Sequence, residues 1–114
     1  MKAFWVSFKT IDGLSVDENN RVIDEYLDHL TRIGCTSNGG VLRPWSWQSL
    51  VFASDEKPDV TEGDKRSVIE HLEKNRLLTD YSVSGLVDYE DAEEDALELI
   101  KSALIEHLKS KIVN

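Results

Sequence analysis

Segments of two-residue and of helical hydrophobic periodicity alternate along this chain in a fixed order, and that order leaves few folds open. In the first eleven residues Phe4, Val6 and Phe8 point one way and Trp5, Ser7 and Lys9 the other, as in a half-buried strand. Asp12-Gly13 turns the chain, and Ser15-Val16-Asp17-Glu18 has the form of a capping box. Val22, Ile23, Tyr26, Leu27, Leu30 and Ile33 then recur at helical spacing as far as Gly34, which predicts a first helix over about 16–33. Cys35 to Gly40 is polar and glycine-rich, a connection or the ragged start of a strand. Val41-Leu42-Arg43 is short and stops at Pro44. Trp47 to Ala53 carries apolar groups on both faces, so it reads as a central strand covered on both sides. Ser54 to Asp59 is a solvated loop. Thr61 caps a second helix whose buried stripe is Val68, Ile69, Leu72 and Leu77. Tyr81 to Val87 alternates again and reads as the last strand.

Strand, helix, strand, strand, helix, strand is the order of an α+β two-layer β-α-β-β-α-β sandwich, the ferredoxin-like or split βαβ arrangement. Right-handed crossovers place both helices on one face of an antiparallel sheet. That sandwich accounts for residues 1–88. Residues 89–114 form an acidic, amphipathic helical extension: Glu90, Asp91, Glu93, Glu94 and Asp95 put five carboxylates in six positions. Leu97, Ile100, Leu104, Leu108 and Ile112 follow at helical spacing, with Lys101, Lys109 and Lys111 toward the end. Acid first and base last suits the helix dipole. This third helix either covers the open sheet face or pairs with a second copy, making a homodimer through Leu97, Ile100, Leu104 and Leu108.

The chain has 114 residues, within the size of one domain, and no apolar run approaches the roughly 20 residues of a membrane span. Its opening residues resemble neither a signal nor a transit sequence. The single cysteine, Cys35, leaves no intrachain disulfide and suits a reducing compartment, so a cytoplasmic location is expected. Net charge is −9, and residues 88–114 hold eight acids against three bases.

Reactive constellations are sparse. His29, His71 and His107 each fall on a predicted helix, far apart in sequence, with neither an HExxH nor a cysteine pair, so no metal is expected. Glu25 and His29, one turn apart, read as an exposed surface pair. Cys35 follows a helix C-terminus, where the dipole raises a thiol pKa, and reads as structural. No serine sits in a nucleophile elbow, and Asn38-Gly39-Gly40 lacks the lysine and spacing of a phosphate loop. The chain is therefore expected to be no enzyme and to use no cofactor.

Its surface offers more. Lys65 with Arg66, and Lys74 with Arg76, are the local basic groups, one pair at each end of helix two. They are the candidate phosphate contacts with nucleic acid or ribosome. Trp47 reads as core, whereas Trp45 beside Pro44 sits at a rim and is a candidate partner anchor. The carboxylates Glu90, Asp91, Glu93, Glu94 and Asp95 are candidates for a basic partner protein, the arrangement of an acidic immunity- or inhibitor-type protein.

Three stretches, in order, carry a family resemblance. Thr61-Glu62-Gly63-Asp64-Lys65-Arg66-Ser67-Val68-Ile69-Glu70-His71-Leu72-Glu73 resembles the second helix of the YggL-like 50S-ribosome-binding proteins, with His71 at that pattern's aromatic position and Gly63 at an acidic one. Val83-Ser84-Gly85-Leu86-Val87-Asp88 resembles the family's closing strand. Gly39-Gly40 followed by Trp47-Gln48-Ser49-Leu50-Val51 resembles its glycine pair and the strand beyond. The resemblance spans about residues 4–88. It implies a small bacterial cytoplasmic protein that associates with the large (50S) ribosomal subunit and affects ribosome function or assembly, without catalytic residues or cofactor. Family members commonly begin with a Lys- and Arg-rich arm and stop near the closing strand. This chain opens almost directly in its first strand and adds the acidic helix.

Overall fold

The computed structural model describes residues 1–42, 45–95, 98 and 101. Their elements run β1 (Lys2–Thr10), α1 (Val16–Arg32), β2 (Cys35–Leu42), β3 (Ser46–Ala53), α2 (Glu62–Lys74), β4 (Leu78–Val83) and β5 (Val87–Asp88). The strands form one sheet in the order β2-β3-β1-β4, with β5 also on β1, and every pairing is antiparallel. The chain is thus an α+β sandwich. No helix among the described residues is long and apolar enough to cross a membrane.

Both helices start as their sequences dictate. The Ser15 hydroxyl accepts from the Glu18 amide at 3.1 Å while the Glu18 carboxylate accepts from the Ser15 amide at 3.2 Å. Thr61 and Asp64 reproduce the box on α2, at 3.2 and 2.9 Å. Each box satisfies amides that the first turn cannot bond internally. At the far end of α1, Gly34 takes φ +75°, the left-handed conformation that glycine adopts without steric cost. Lys57 lies against Gly34 and donates to the Ile33 carbonyl at 3.1 Å and to Asp64 at 2.6 Å. One ammonium therefore closes the C-terminus of α1 and holds the start of α2.

The main core lies between the sheet and both helices. Phe4, Val6 and Phe8 of β1 and Trp47, Val51 and Ala53 of β3 meet Val22, Tyr26 and Leu30 of α1 and Val68 and Leu72 of α2. Tyr26 packs edge-on against Phe8 and Trp47, with ring centroids 5.2 and 5.9 Å apart. A smaller cluster occupies the opposite face, where Ala3, Leu50 and Ala92 are buried beside Trp5, Phe52, Val87 and Tyr89. The central strand β3 is accordingly apolar on both sides.

Three boundaries differ from the sequence reading. The polar Cys35–Gly40 stretch is a strand in full register with β3, from Cys35 opposite Ala53 to Leu42 opposite Ser46. Gly39 explains it: a Cβ there would lie 2.2 Å from the Gln48 carbonyl oxygen, so only glycine lets the two backbones approach. The closing strand begins at Leu78, three residues earlier than its alternation suggests, and breaks after Val83 before resuming at Val87. Across the break the Trp5 amide donates to the Ser84 hydroxyl at 2.8 Å and the Ser84 amide to the Trp5 carbonyl at 2.9 Å. Leu77 lies beyond α2 and still packs on the core.

Candidate functional site

Residues 89–95 are helical, and their first turn is fastened to the sheet. The Tyr89 amide donates to the Met1 carbonyl at 2.8 Å, and the Tyr89 ring packs on Phe52 with centroids 4.7 Å apart. Asn38 of β2 donates to the Tyr89 hydroxyl at 3.4 Å, and that hydroxyl donates to Glu93 at 3.4 Å. The terminal ammonium of Met1 meets Glu90 at 3.4 Å, and Lys2 meets Asp88 at 2.7 Å. The latter pair holds the Asp88 carboxyl below its ordinary range through the hydrogen bond and the charge of Lys2. Tyr89 and Ala92, three residues apart, take the inward side of the helix, and Ala92 is buried. Glu90, Asp91, Glu93, Glu94 and Asp95 are all exposed. The structure thus brings these five carboxylates together on a short helical platform. Burial raises the Tyr89 hydroxyl pKa, and the charge of Glu93 adds to it.

The basic residues of α2 are not gathered. Lys65 lies 3.8 Å from Glu62 in its own first turn. Arg66, Lys74 and Arg76 are exposed, with Lys74 eight residues beyond Arg66, about 12 Å at the helical rise. Glu70 lies between them, and Glu73 accepts from Tyr81 at 3.1 Å. Trp45 is half-buried in a turn at φ +55°, with its carbonyl accepting from Thr10 at 3.4 Å, whereas Trp47 is core. Leu97, Ile100, Leu104 and Leu108 lie outside the described residues.

A second constellation joins α1 to α2. His29 and His71 stack with centroids 4.7 Å apart and planes 21° apart, and His29 Nε2 lies 3.0 Å from the Ser67 hydroxyl. Glu25, Asp28 and Arg32 complete a cleft of about 340 Å³ around the two rings. His71 Nε2 is buried with no hydrogen-bond partner among the described residues. Burial lowers the His71 pKa and the neighbouring His29 lowers it further, with Glu25 opposing. The stacked pair serves as packing between the helices. Sequence reasoning placed His29 in an exposed pair with Glu25. The missed signal is that His29 and His71 each precede a core leucine, Leu30 and Leu72, and so sit on the flank of a buried stripe.

Cys35 is buried, and desolvation pushes its thiol up to about 11, with the charge of Asp64 adding to the shift. Such a thiol is a poor nucleophile. No three His, Cys, Asp or Glu side chains among the described residues are grouped to hold a metal ion. No protein-family model matches this chain, and no curated protein matches it.

Proposed function

We propose that this chain is a non-enzymatic binding protein on a ferredoxin-like scaffold, and that its partner is the large ribosomal subunit. The scaffold reading is supported by the strand order and by both helices packing on one face. The binding reading rests on one observation: five exposed carboxylates surround a buried alanine on a helix tied to Met1, Asn38 and Phe52. Charges already held in place lose little freedom when a partner arrives, so their attraction is spent less on ordering. A basic ribosomal protein is the contact they suit, with Arg66, Lys74 and Arg76 left to meet neighbouring phosphates. The subunit itself is suggested by the resemblance over residues 4–88.

Sedimentation with purified large subunits tests this. The wild-type protein should pellet with subunits at low salt, and replacing Glu90, Asp91, Glu93, Glu94 and Asp95 by Gln or Asn should abolish that. Neutralising Lys65, Arg66, Lys74 and Arg76 should weaken binding less and flatten its salt dependence. Failure of the wild type to pellet at low salt refutes the ribosomal reading. An inhibitor- or immunity-type role is the second reading, favoured by the same cluster and the −9 charge. It predicts capture of one basic protein from lysate, lost with the five neutral substitutions.

A further inference from the structure

The two edges of the sheet are built differently. On the β4 side the strand breaks between Val83 and Val87, carries Asp80, and shifts register opposite Lys9 and Thr10. Interruption, charge and irregularity all discourage a further strand from pairing there. On the β2 side, Cys35–Leu42 runs for eight residues without a charge or a proline, and no strand lies beyond it among the described residues. The flank of α1 above this edge is equally free of charge. Val16, Asn20, Ile23, Leu27 and Thr31 recur along it at helical spacing, and Leu27 and Thr31 meet Cys35, Thr36 and Ser37 at a cleft of about 220 Å³. In a chain where 31% of residues are charged, an uncharged strand edge beside an uncharged helix flank has the composition of an interface core.

The register selects the occupant. Ser37, Gly39 and Val41 lie on the α1 face of β2, opposite Val51, Ser49 and Trp47 of β3. Val41, 42% exposed, stands at one end of that face, and the cleft beside Ser37 and the 37% exposed Leu27 opens at the other. Val41 and Ser37 are each two residues from Gly39, on opposite sides. A two-fold axis through Gly39, perpendicular to the sheet, therefore carries Val41 of one copy onto the cleft of the other, and does so twice. Knob and hole sit on one surface, equally far from one point, a relation that only a second copy uses in full. Gly39 has no side chain to collide with its twin on the axis. On the other face the same register sets Asn38 against Gly40, whose Cβ position has nothing within 4 Å in its own chain. The outward amides and carbonyls of the two strands become each other's partners.

We infer that the β2 edge, with the flank of α1, is the seam of a homodimer in which two sheets join into one. Eight strand residues and seventeen helical residues both span about 26 Å, and edge plus helix is roughly 18 Å deep. Two copies then bury on the order of 900 Å², at the low end for specific interfaces, which suits a reversible dimer dissociating at roughly 1–100 μM. Asp24 borders the neutral flank on its solvent side and each chain carries −9, so the copies repel at long range and salt tightens the dimer. Contact between the carboxylates at 90–95 and a basic partner would weaken with salt, so the two surfaces are separable by experiment.

Sedimentation of the full chain from micromolar to millimolar concentration, with amide exchange on the same samples, tests the seam. The dimer fraction should rise with concentration and with salt. Exchange over residues 35–42 should slow with it while that over 78–83 stays unchanged. Val41→Lys and Leu27→Glu should each weaken association about tenfold or more, since each puts a charge into an apolar contact. Combining the two sets opposite charges together across the axis and should recover about threefold of that loss. Asp24→Asn should tighten the dimer by up to about fivefold. All three positions are exposed, and melting curves at the lowest concentration report whether each variant folds. Exchange in the wild type carries the test if one does not. Three results would each overturn the seam. One is a chain that sediments as a monomer up to millimolar concentration. Another is association without slowing at 35–42, which assigns dimerisation to Leu97, Ile100, Leu104 and Leu108. The third is a double variant that binds no tighter than the weaker single one, which removes Val41 from the cleft at Leu27.

Discussion

Substituting Gly39 by alanine tests the close approach of β2 to β3 directly. The added Cβ would lie 2.2 Å from the Gln48 carbonyl oxygen, 2.5 Å from Ser49 Cα and 2.7 Å from Ser49 Cβ, in a residue held at φ +150°. Two of those three atoms are backbone, so no side-chain rotation relieves the clash. Either β2 moves outward by roughly 1 Å, beyond good hydrogen-bond distance, or Gly39 changes conformation. An alanine in a region of φ that L-residues rarely adopt costs about 1–3 kcal/mol, and overpacking costs a further 1–3 kcal/mol or so. The reduced freedom of the unfolded chain returns roughly 0.4–1 kcal/mol. The net loss is about 3 kcal/mol, a large share of the ~5–15 kcal/mol that holds a domain folded. For a chain of 114 residues it lowers the melting temperature by roughly 10–15 °C. Gly40 is the internal control: nothing lies within 4 Å of its Cβ position, and its φ is outside the left-handed region. Urea unfolding followed by circular dichroism should show Gly40→Ala unchanged or more stable by up to ~1 kcal/mol. A Gly39→Ala protein within ~0.5 kcal/mol of wild type refutes the steric argument. So does a Gly40→Ala protein as unstable as Gly39→Ala, because the cost would then belong to any glycine in this strand.

Two other perturbations probe the joints between elements. Replacing Lys57 by methionine keeps its packing on Gly34 but removes the ammonium from the Ile33 carbonyl and leaves the largely buried Asp64 carboxylate, whose side chain is 12% exposed, with only the Thr61 amide. Urea unfolding should report a loss of about 2 kcal/mol, and a loss below ~0.5 kcal/mol would refute this role for the ammonium. The histidine stack makes stability depend on pH. Because the folded state lowers the His71 pKa, the unfolded chain binds the proton more readily, so stability rises with pH. The contribution is complete above the unfolded value near 6.5 and is lost as pH falls through that value toward the folded one. Unfolding midpoints measured from pH 5 to 7.5 should therefore fall more steeply toward acid for wild type than for His71→Gln, and parallel curves would refute the assignment.

How much was legible follows from what each element's residues had to satisfy. Strand β1 and both helices could be read because one face of each is buried by its own chain, which forces apolar spacing, and because their caps are local. Strand β2 could not, since an edge strand made of Thr, Ser, Asn and Gly carries no alternation, and its place depends on how closely Gly39 approaches β3. The early start of β4 was hidden for a related reason: Thr79 and Asp80 lie exposed on the opposite edge. Of the candidate site residues, the five carboxylates were visible as a cluster. That Ala92 and Tyr89 anchor them depended on contacts with Phe52, Asn38 and Met1, 37 to 88 residues distant.

By itself the sequence determined the order of strands and helices, where the helices begin, the acidic character of the surface, and a core built from β1, β3 and the two helix stripes. These are local or compositional properties, written in spacing and side-chain type. Only the tertiary structure decided that His29 stacks on His71, that residues 89–95 lie against the second face of the sheet, and that β2 stands at an edge beside the cleft of α1. Each joins segments distant along the chain, and such pairings are chosen by which surfaces exclude water together, a property that no single segment carries.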